Sequence, residues 1–205
     1  MEARPMTTAA RKLPPLMTVE EFHAWPGNGT GTRYELVDGQ LRAMAPASDV
    51  HGTIHSNIAF ATTAHLRVAQ PGCRLIVAPG IEPRTRSTWN HRTPELGVTC
   101  APSRPGQIMM PDPILLIEVL SPGNAADTWS NVPLYATVPT VQEILIVSTT
   151  RIGAELLRRD GSGHWPKDPT PVGPGKSVEL QSIGLNIPLH DLYRDTHLAQ
   201  PEDGA

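Results

Sequence analysis

The chain has 205 residues, 39% of them hydrophobic, which suits one domain with a sizeable core. No apolar run approaches the roughly eighteen residues of a membrane-spanning helix, and the opening MEARPMTTAARKLPPL lacks the hydrophobic stretch of a secretion signal, so a cytoplasmic protein is expected. A formal charge of −3 and a pI near 6.2 exclude a protein that holds nucleic acid by a broad basic surface, but not a nuclease whose metal-binding carboxylates lower its charge.

Residues 1–15 read as a loose tail, 16–196 as the folded domain and 197–205 as a second tail. Thr18 as N-cap and Glu21 three positions on make a capping box for a helix from Val19 to Trp25, stopped by Pro26-Gly27. The alternating runs of RYELVDGQLRAM, residues 33–44, flank Asp38-Gly39 and predict a hairpin. Ser48 or Asp49 caps a longer helix to about Ala69, with Val50, Ile54, Ile58 and Ala61 at helical spacing. Strands are expected at 73–78, 80–86, 95–100 and 114–120. A helix at 125–137 follows, in which Pro133 must lie in the first turns or introduce a kink. Strands at 144–147 and 153–159 and a β segment at 177–188 complete a mixed α/β pattern, a central sheet with helices packed on it. The 22 prolines cluster at 14–15, 79–113 and 166–174 and mark irregular connections.

Two features bear on chemistry. Lysine occurs only at Lys12, Lys167 and Lys176, so any cation at a site between 13 and 166 must be Arg or His. Glu118 stands inside ILLIEVLSP, an apolar strand pattern, where an ionised carboxylate costs several kcal/mol unless it is paired, hydrogen-bonded or coordinated. Its structural alternative is an ion pair with Arg33 or Arg42. Glu35 in YELVDG, His51 in the first turn of the long helix and Glu95 at the start of ELGVTC are further polar residues inside apolar patterns. Each has an ordinary reading: a solvated strand face, a surface histidine, an exposed strand end. Cys73 and Cys100 fall in strand-like stretches and suit reduced core residues better than a disulfide framework, though a single disulfide stays open.

In order along the chain stand TVEEF from Thr18, YELVDG from Tyr34, MAP from Met44, HG from His51, EVLSP from Glu118, and a segment ending in Tyr135 before VQEILIV. Together these words, spread over residues 16–193, resemble the Uma-two family of endonucleases in the PD-(D/E)XK superfamily. The resemblance implies a restriction-endonuclease-like fold, a central mixed sheet flanked by helices, with a divalent-metal site built from carboxylates on neighbouring strands. Carried onto this chain, it implies Glu95 and Glu118 as ligands of Mg²⁺ (or Mn²⁺), with Glu35 and His51 supporting the ion or positioning water. The implied activity is hydrolysis of DNA phosphodiester bonds, with DNA as partner, no membrane, and a homodimer among the expectations.

The chain departs from the family pattern twice. The pair Pro94-Glu95 stands where the family usually has Pro-Asp. The superfamily's catalytic lysine is absent two residues past the strand acid, where this chain has Leu120, and absent from the following helix, where Asn131 stands four residues before Tyr135. Both departures favour a rival reading, an inactive nuclease fold that binds nucleic acid or a protein. Zinc on His51 and His55, or Asp112 as the motif aspartate, are remoter alternatives.

Overall fold

The computed structural model describes residues 16–199; the expected N-terminal tail and residues 200–205 lie outside the described residues. Three α-helices, α1 (Val19–Ala24), α2 (Asp49–Ala69) and α3 (Ala125–Tyr135), alternate with ten strands. These are β1 (Tyr34–Val37), β2 (Gln40–Ala43), β3 (Arg74–Val77), β4 (Leu96–Thr99), β5 (Pro113–Leu120), β6 (Glu143–Ser148), β7 (Ala154–Arg158), β8 (Thr170–Val172), β9 (Ser177–Leu180) and β10 (Leu185–Pro188).

Six strands form one sheet in the order β3-β4-β5-β6-β7-β8. β5 and β6 run parallel and every other neighbouring pair antiparallel. That mixed pattern follows from the connections: α3 carries the chain back from β5 to β6, whereas a short turn joins β6 to β7. All six residues of β6 are buried, and so are those of β5 between Leu115 and Val119, because both faces of the sheet are covered. Leu115, Ile117 and Val119 face the core formed with α2, the β9–β10 hairpin and Tyr193. Leu116 faces the other core, with Ile144, Ile146, Val132 and Tyr135 of α3. Strand alternation therefore puts Glu118 on the α3 side.

The local signals act where expected. Thr18 and Glu21 close both bonds of the capping box on α1. Asp38 and Gly39 both take positive φ, as a two-residue hairpin turn requires, and a Cβ at Gly39 would meet the Trp89 ring at 2.9 Å. Ser48, not Asp49, caps α2 by accepting from the His51 N–H. The buried spine of α2 is His51, Ile54, Ile58, Thr62 and Leu66, with Val50 and Ala61 half-buried at its sides.

The structure departs from expectation at 80–86 and at the cysteines. The stretch 80–86 is not a strand: it makes only isolated bridges, Gly80 to Met109 and Ile81 to Arg92, before Pro83 removes a donor and a 3-10 turn begins at Ser87. Pro133, expected in the first turns of α3 or at a kink, lies in its last turn. Cys73 and Cys100 are joined in a disulfide rather than held as separate thiols, because the antiparallel register that pairs Arg74 with Thr99 sets them opposite each other. At the C-terminal end His197–Ala199 form a turn whose Leu198 and Ala199 pack on the core. Beyond these, Thr170–Val172 forms a short edge strand that no alternation announced; Pro171 is tolerated there because an edge leaves one side unpaired.

Candidate functional site

One end of the sheet opens into a cleft of about 1050 Å³. Its walls come from the β1–β2 hairpin, the approach to and first turn of α2, the segment before β4, the end of β5, and the cleft face of α3. Glu35, His51, Glu95, Glu118 and Asn131 all border it. Residues separated by nearly a hundred positions in sequence are thus brought to one cavity.

The strand ladder sets the acids. Leu96 of β4 pairs with Ile117 of β5, and one further step of that register sets Glu95 opposite Glu118. Glu118 is 5% exposed and accepts a bond from the Tyr135 hydroxyl at 2.8 Å. Burial pushes its carboxyl up to about 8; the Tyr135 bond opposes the shift, and the charges of Glu35 and Glu95 add to it. Neither Arg33 nor Arg42 reaches it. Among the described residues Arg42 pairs with Asp127, and Glu118 has no cation within ion-pair distance. At neutral pH in the metal-free protein its carboxyl is therefore largely protonated.

Glu95 is held by two histidines of α2. His51 Nε2 lies 3.0 Å from its carboxylate, and His55 Nε2 lies 3.3 Å from its backbone carbonyl oxygen. The other nitrogen of His51 is 3.1 Å from the Ser121 hydroxyl. With Nε2–H donating to Glu95, Nδ1 accepts from Ser121, so both ring nitrogens are used and the imidazole is fixed. His55 is likewise engaged through the Glu95 carbonyl. Among the described residues no group of three or more His, Cys, Asp or Glu is close enough to hold one ion. Asp112 sits at positive φ in the turn before β5, exposed and away from the cleft walls.

Glu35 is buried on β1 and accepts from the Thr93 N–H at 2.6 Å. Burial raises its pKa, while that hydrogen bond and the charges of Arg92 and Arg42 pull it back. Asn131 is 5% exposed and its Oδ1 is buried with no hydrogen-bond partner. An unsatisfied buried amide oxygen is rare and costs about 1–3 kcal/mol.

The structure adds participants that pattern reading passed over. Tyr135 is wholly buried one helical turn beyond Asn131, and its hydroxyl holds Glu118. Arg92 is 3% exposed; its Nη2 donates to Asn90 at 3.1 Å, while Nε and Nη1 have no partner. Burial lowers the Arg92 pKa, with Glu35 and then Tyr135 opposing. Arg92 lies behind the cleft; the arginines that border it are Arg33 and Arg42, as the absence of lysine between residues 13 and 166 required of any side-chain cation there other than histidine. Asp127, one turn before Asn131 on α3, borders the cleft and was visible only as part of the helix.

Comparisons with known proteins agree with this architecture. A solved structure described as a "putative nuclease belonging to DUF820" from Anabaena variabilis superposes with a TM-score of 0.68 at 16% identity, covering 86% of this chain and 97% of that one. The likeness establishes the fold. An uncharacterized protein of Synechocystis, slr1290, is 30% identical over 182 residues, which is 88% of this chain and 93% of that protein. The sequence model of the Uma2 family, described as "Putative restriction endonuclease", matches residues 19–190. The chain belongs to the Uma2 family.

Proposed function

We propose that this protein is a Mg²⁺-dependent (or Mn²⁺-dependent) nuclease that hydrolyses phosphodiester bonds of DNA in its cleft. The observation that carries the reading is Glu118: a buried carboxyl with no cationic partner, set across one ladder step from Glu95 and facing a cavity. Mg²⁺ asks for one or two protein carboxylates and completes its octahedron with water and phosphate oxygen, so a pair of acids suffices without a third side-chain ligand.

Glu118 and Glu95 would hold the ion. When bound, Mg²⁺ supplies the positive charge that polarises the phosphoryl group and acidifies water. Tyr135 fixes one oxygen of Glu118. His51 orients Glu95, the residue whose side chain is one methylene longer than the aspartate of the family pattern. Glu35, tied to the Thr93 N–H, keeps a third carboxyl beside the pair to accept a proton from water. One such site cuts one strand, so cleavage of both strands of a duplex calls for two copies, and the mass of the protein in solution tests the homodimer. A DNA substrate suits a cytoplasmic protein.

The rival reading, an inactive fold used for binding, draws on the neutral Asn131 in the place of a lysine. One charge-stabilising donor is worth roughly 10²–10³ in rate, so wild-type cleavage of plasmid DNA should be slow. Titration with Mn²⁺ should show binding that Glu118→Gln abolishes, and Glu95→Asp with Asn131→Lys should speed cleavage. If the wild type binds no divalent ion, the nuclease reading falls. If ion binding is intact and the double variant gains nothing, the binding-module reading replaces it.

A further inference from the structure

α3 begins inside the cleft. Asn124 occupies its N-cap but makes no capping bond: its Oδ1 accepts from the Ser121 N–H at 2.7 Å and its Nδ2 donates to the Val119 carbonyl at 3.3 Å. The first N–H groups of a helix have no intrahelical partner, and here the cap residue gives them none. They carry the positive end of the helix dipole. The first-turn acid, Asp127, does not cancel that charge, because Arg42 pairs with it. The N-terminus of α2 borders the same cleft but is already capped by Ser48.

A second observation lies on the same face of α3. Asn131, two turns along, borders the cleft while 5% exposed, and its amide oxygen is unpaired. With Oδ1 buried, the N–H₂ is the end of the amide left for an acceptor in the cavity. Thr128, 3% exposed, lies between the two. At about 1.5 Å per residue this face runs roughly 15 Å from Ala125 to Tyr135, whose hydroxyl holds Glu118. Among the described residues no Phe, Tyr or Trp borders the cleft, so it offers no platform for stacking bases. Its groups suit phosphate and sugar.

We propose that the N-terminal turn of α3, with Thr128 and Asn131 beyond it, is a phosphate-binding track that holds one strand of a DNA duplex by its backbone and leads it to the acid pair. The track rests on the nuclease reading for its direction, not for its chemistry. It replaces by helix N–H groups and neutral donors what the chain lacks in lysine.

Gly123 provides the test, because it precedes the helix and a Cβ there meets nothing within 4 Å. Affinity for a short fluorescein-labelled DNA duplex is measured by anisotropy with the full chain, in EDTA and over a salt series. Gly123→Asp should weaken binding about three- to tenfold, and Gly123→Lys should tighten it by a similar factor. The plot of log affinity against log salt should flatten by about 0.9 for each phosphate that Gly123→Asp releases. Thr128→Val with Asn131→Leu should also weaken binding, with melting curves reporting the fold. Duplex binding by both Gly123 variants equal to wild type overturns the track, and so does a wild type that binds only the single strand. Cleavage at equal rate and KM by wild type and Gly123→Asp would remove the track and leave the nuclease. Charge-sensitive binding at Gly123 without cleavage under any divalent ion would remove the nuclease and leave the track.

Discussion

Glu118 and Glu143 sit on the two central strands of the same sheet, 5% and 1% exposed, and the fold treats them in opposite ways. Glu143 opens β6 and is saturated: Arg158 Nε donates at 2.7 Å, the N–H groups of Gln181 and Ser182 at 3.2 and 2.8 Å, and the Ser182 hydroxyl at 2.5 Å. Its donors come from β7 and the β9–β10 turn, so the carboxylate joins the hairpin to the sheet. Glu118, three residues further along the neighbouring strand register, has one hydroxyl donor, a weaker backbone contact from Glu95, no cation, and two acids as neighbours. A buried carboxylate with a complete set of donors is a structural element. One left with acids and a cavity is held ready for a ligand that is not part of the chain.

The comparison breaks most visibly under substitution. Glu143→Gln should lower stability by about 3–5 kcal/mol in urea denaturation, since it leaves Arg158 and the hairpin N–H groups without their acceptor. Glu118→Gln should leave the metal-free protein as stable as wild type or more so, and should abolish binding of Mn²⁺. A large loss of stability with Glu118→Gln and unchanged metal affinity would mean that the two glutamates do the same job.

The pH dependence is the next largest effect. In the folded, metal-free protein Glu118 titrates at about 8 against an ordinary value of 4.5. Between those values the folded chain holds a proton that the unfolded chain has released. Unfolding free energy should therefore fall as pH rises from about 4.5 to about 8, by a few kcal/mol in all. Glu118→Gln should flatten that slope. Binding of Mn²⁺ near pH 7 should release close to one proton, seen as a buffer-dependent heat in calorimetry. His91 contributes with the opposite sign: burial, with His23 beside it, depresses its pKa to about 4. The stability this gives is present above about 6.5 and is lost as pH falls towards 4, so His91→Gln should flatten the acid limb only.

The smallest effects sharpen the contrast by removing one hydroxyl from each glutamate. Ser182→Ala should cost about 1 kcal/mol of stability and leave ion binding unchanged. Tyr135→Phe removes the one hydroxyl donor of Glu118 and makes its carboxyl harder to ionise. It should weaken Mn²⁺ binding at neutral pH by about fivefold, with the affinity recovered as pH rises. Equal weakening of ion affinity in both variants would dissolve the distinction.

Local signals were readable because they act over short separations. The capping box on α1, the Asp38-Gly39 turn, the Ser48 cap and the continuous apolar strand of β5 are each written in a few neighbouring residues. The misplaced strand at 80–86 shows the limit: an extended, proline-rich stretch finds ladder partners or not according to what lies beside it. The cysteines show the same limit, since only the β3–β4 register made Cys73 and Cys100 neighbours.

The sequence by itself determined that a carboxylate stood where burial would be costly, that no lysine between residues 13 and 166 could answer it, and that the words around it resembled a nuclease family. It could not show that Glu143, also inside an apolar strand, is the structural acid of the two. Pattern alone made Glu118 a candidate and left Glu143 unnoticed, though Glu143 is the more buried. Only the tertiary structure decided between them, because an acid's role depends on which donors reach it. Those donors come from β7, the β9–β10 turn and α3, brought in by strand order and helix packing rather than by proximity along the chain.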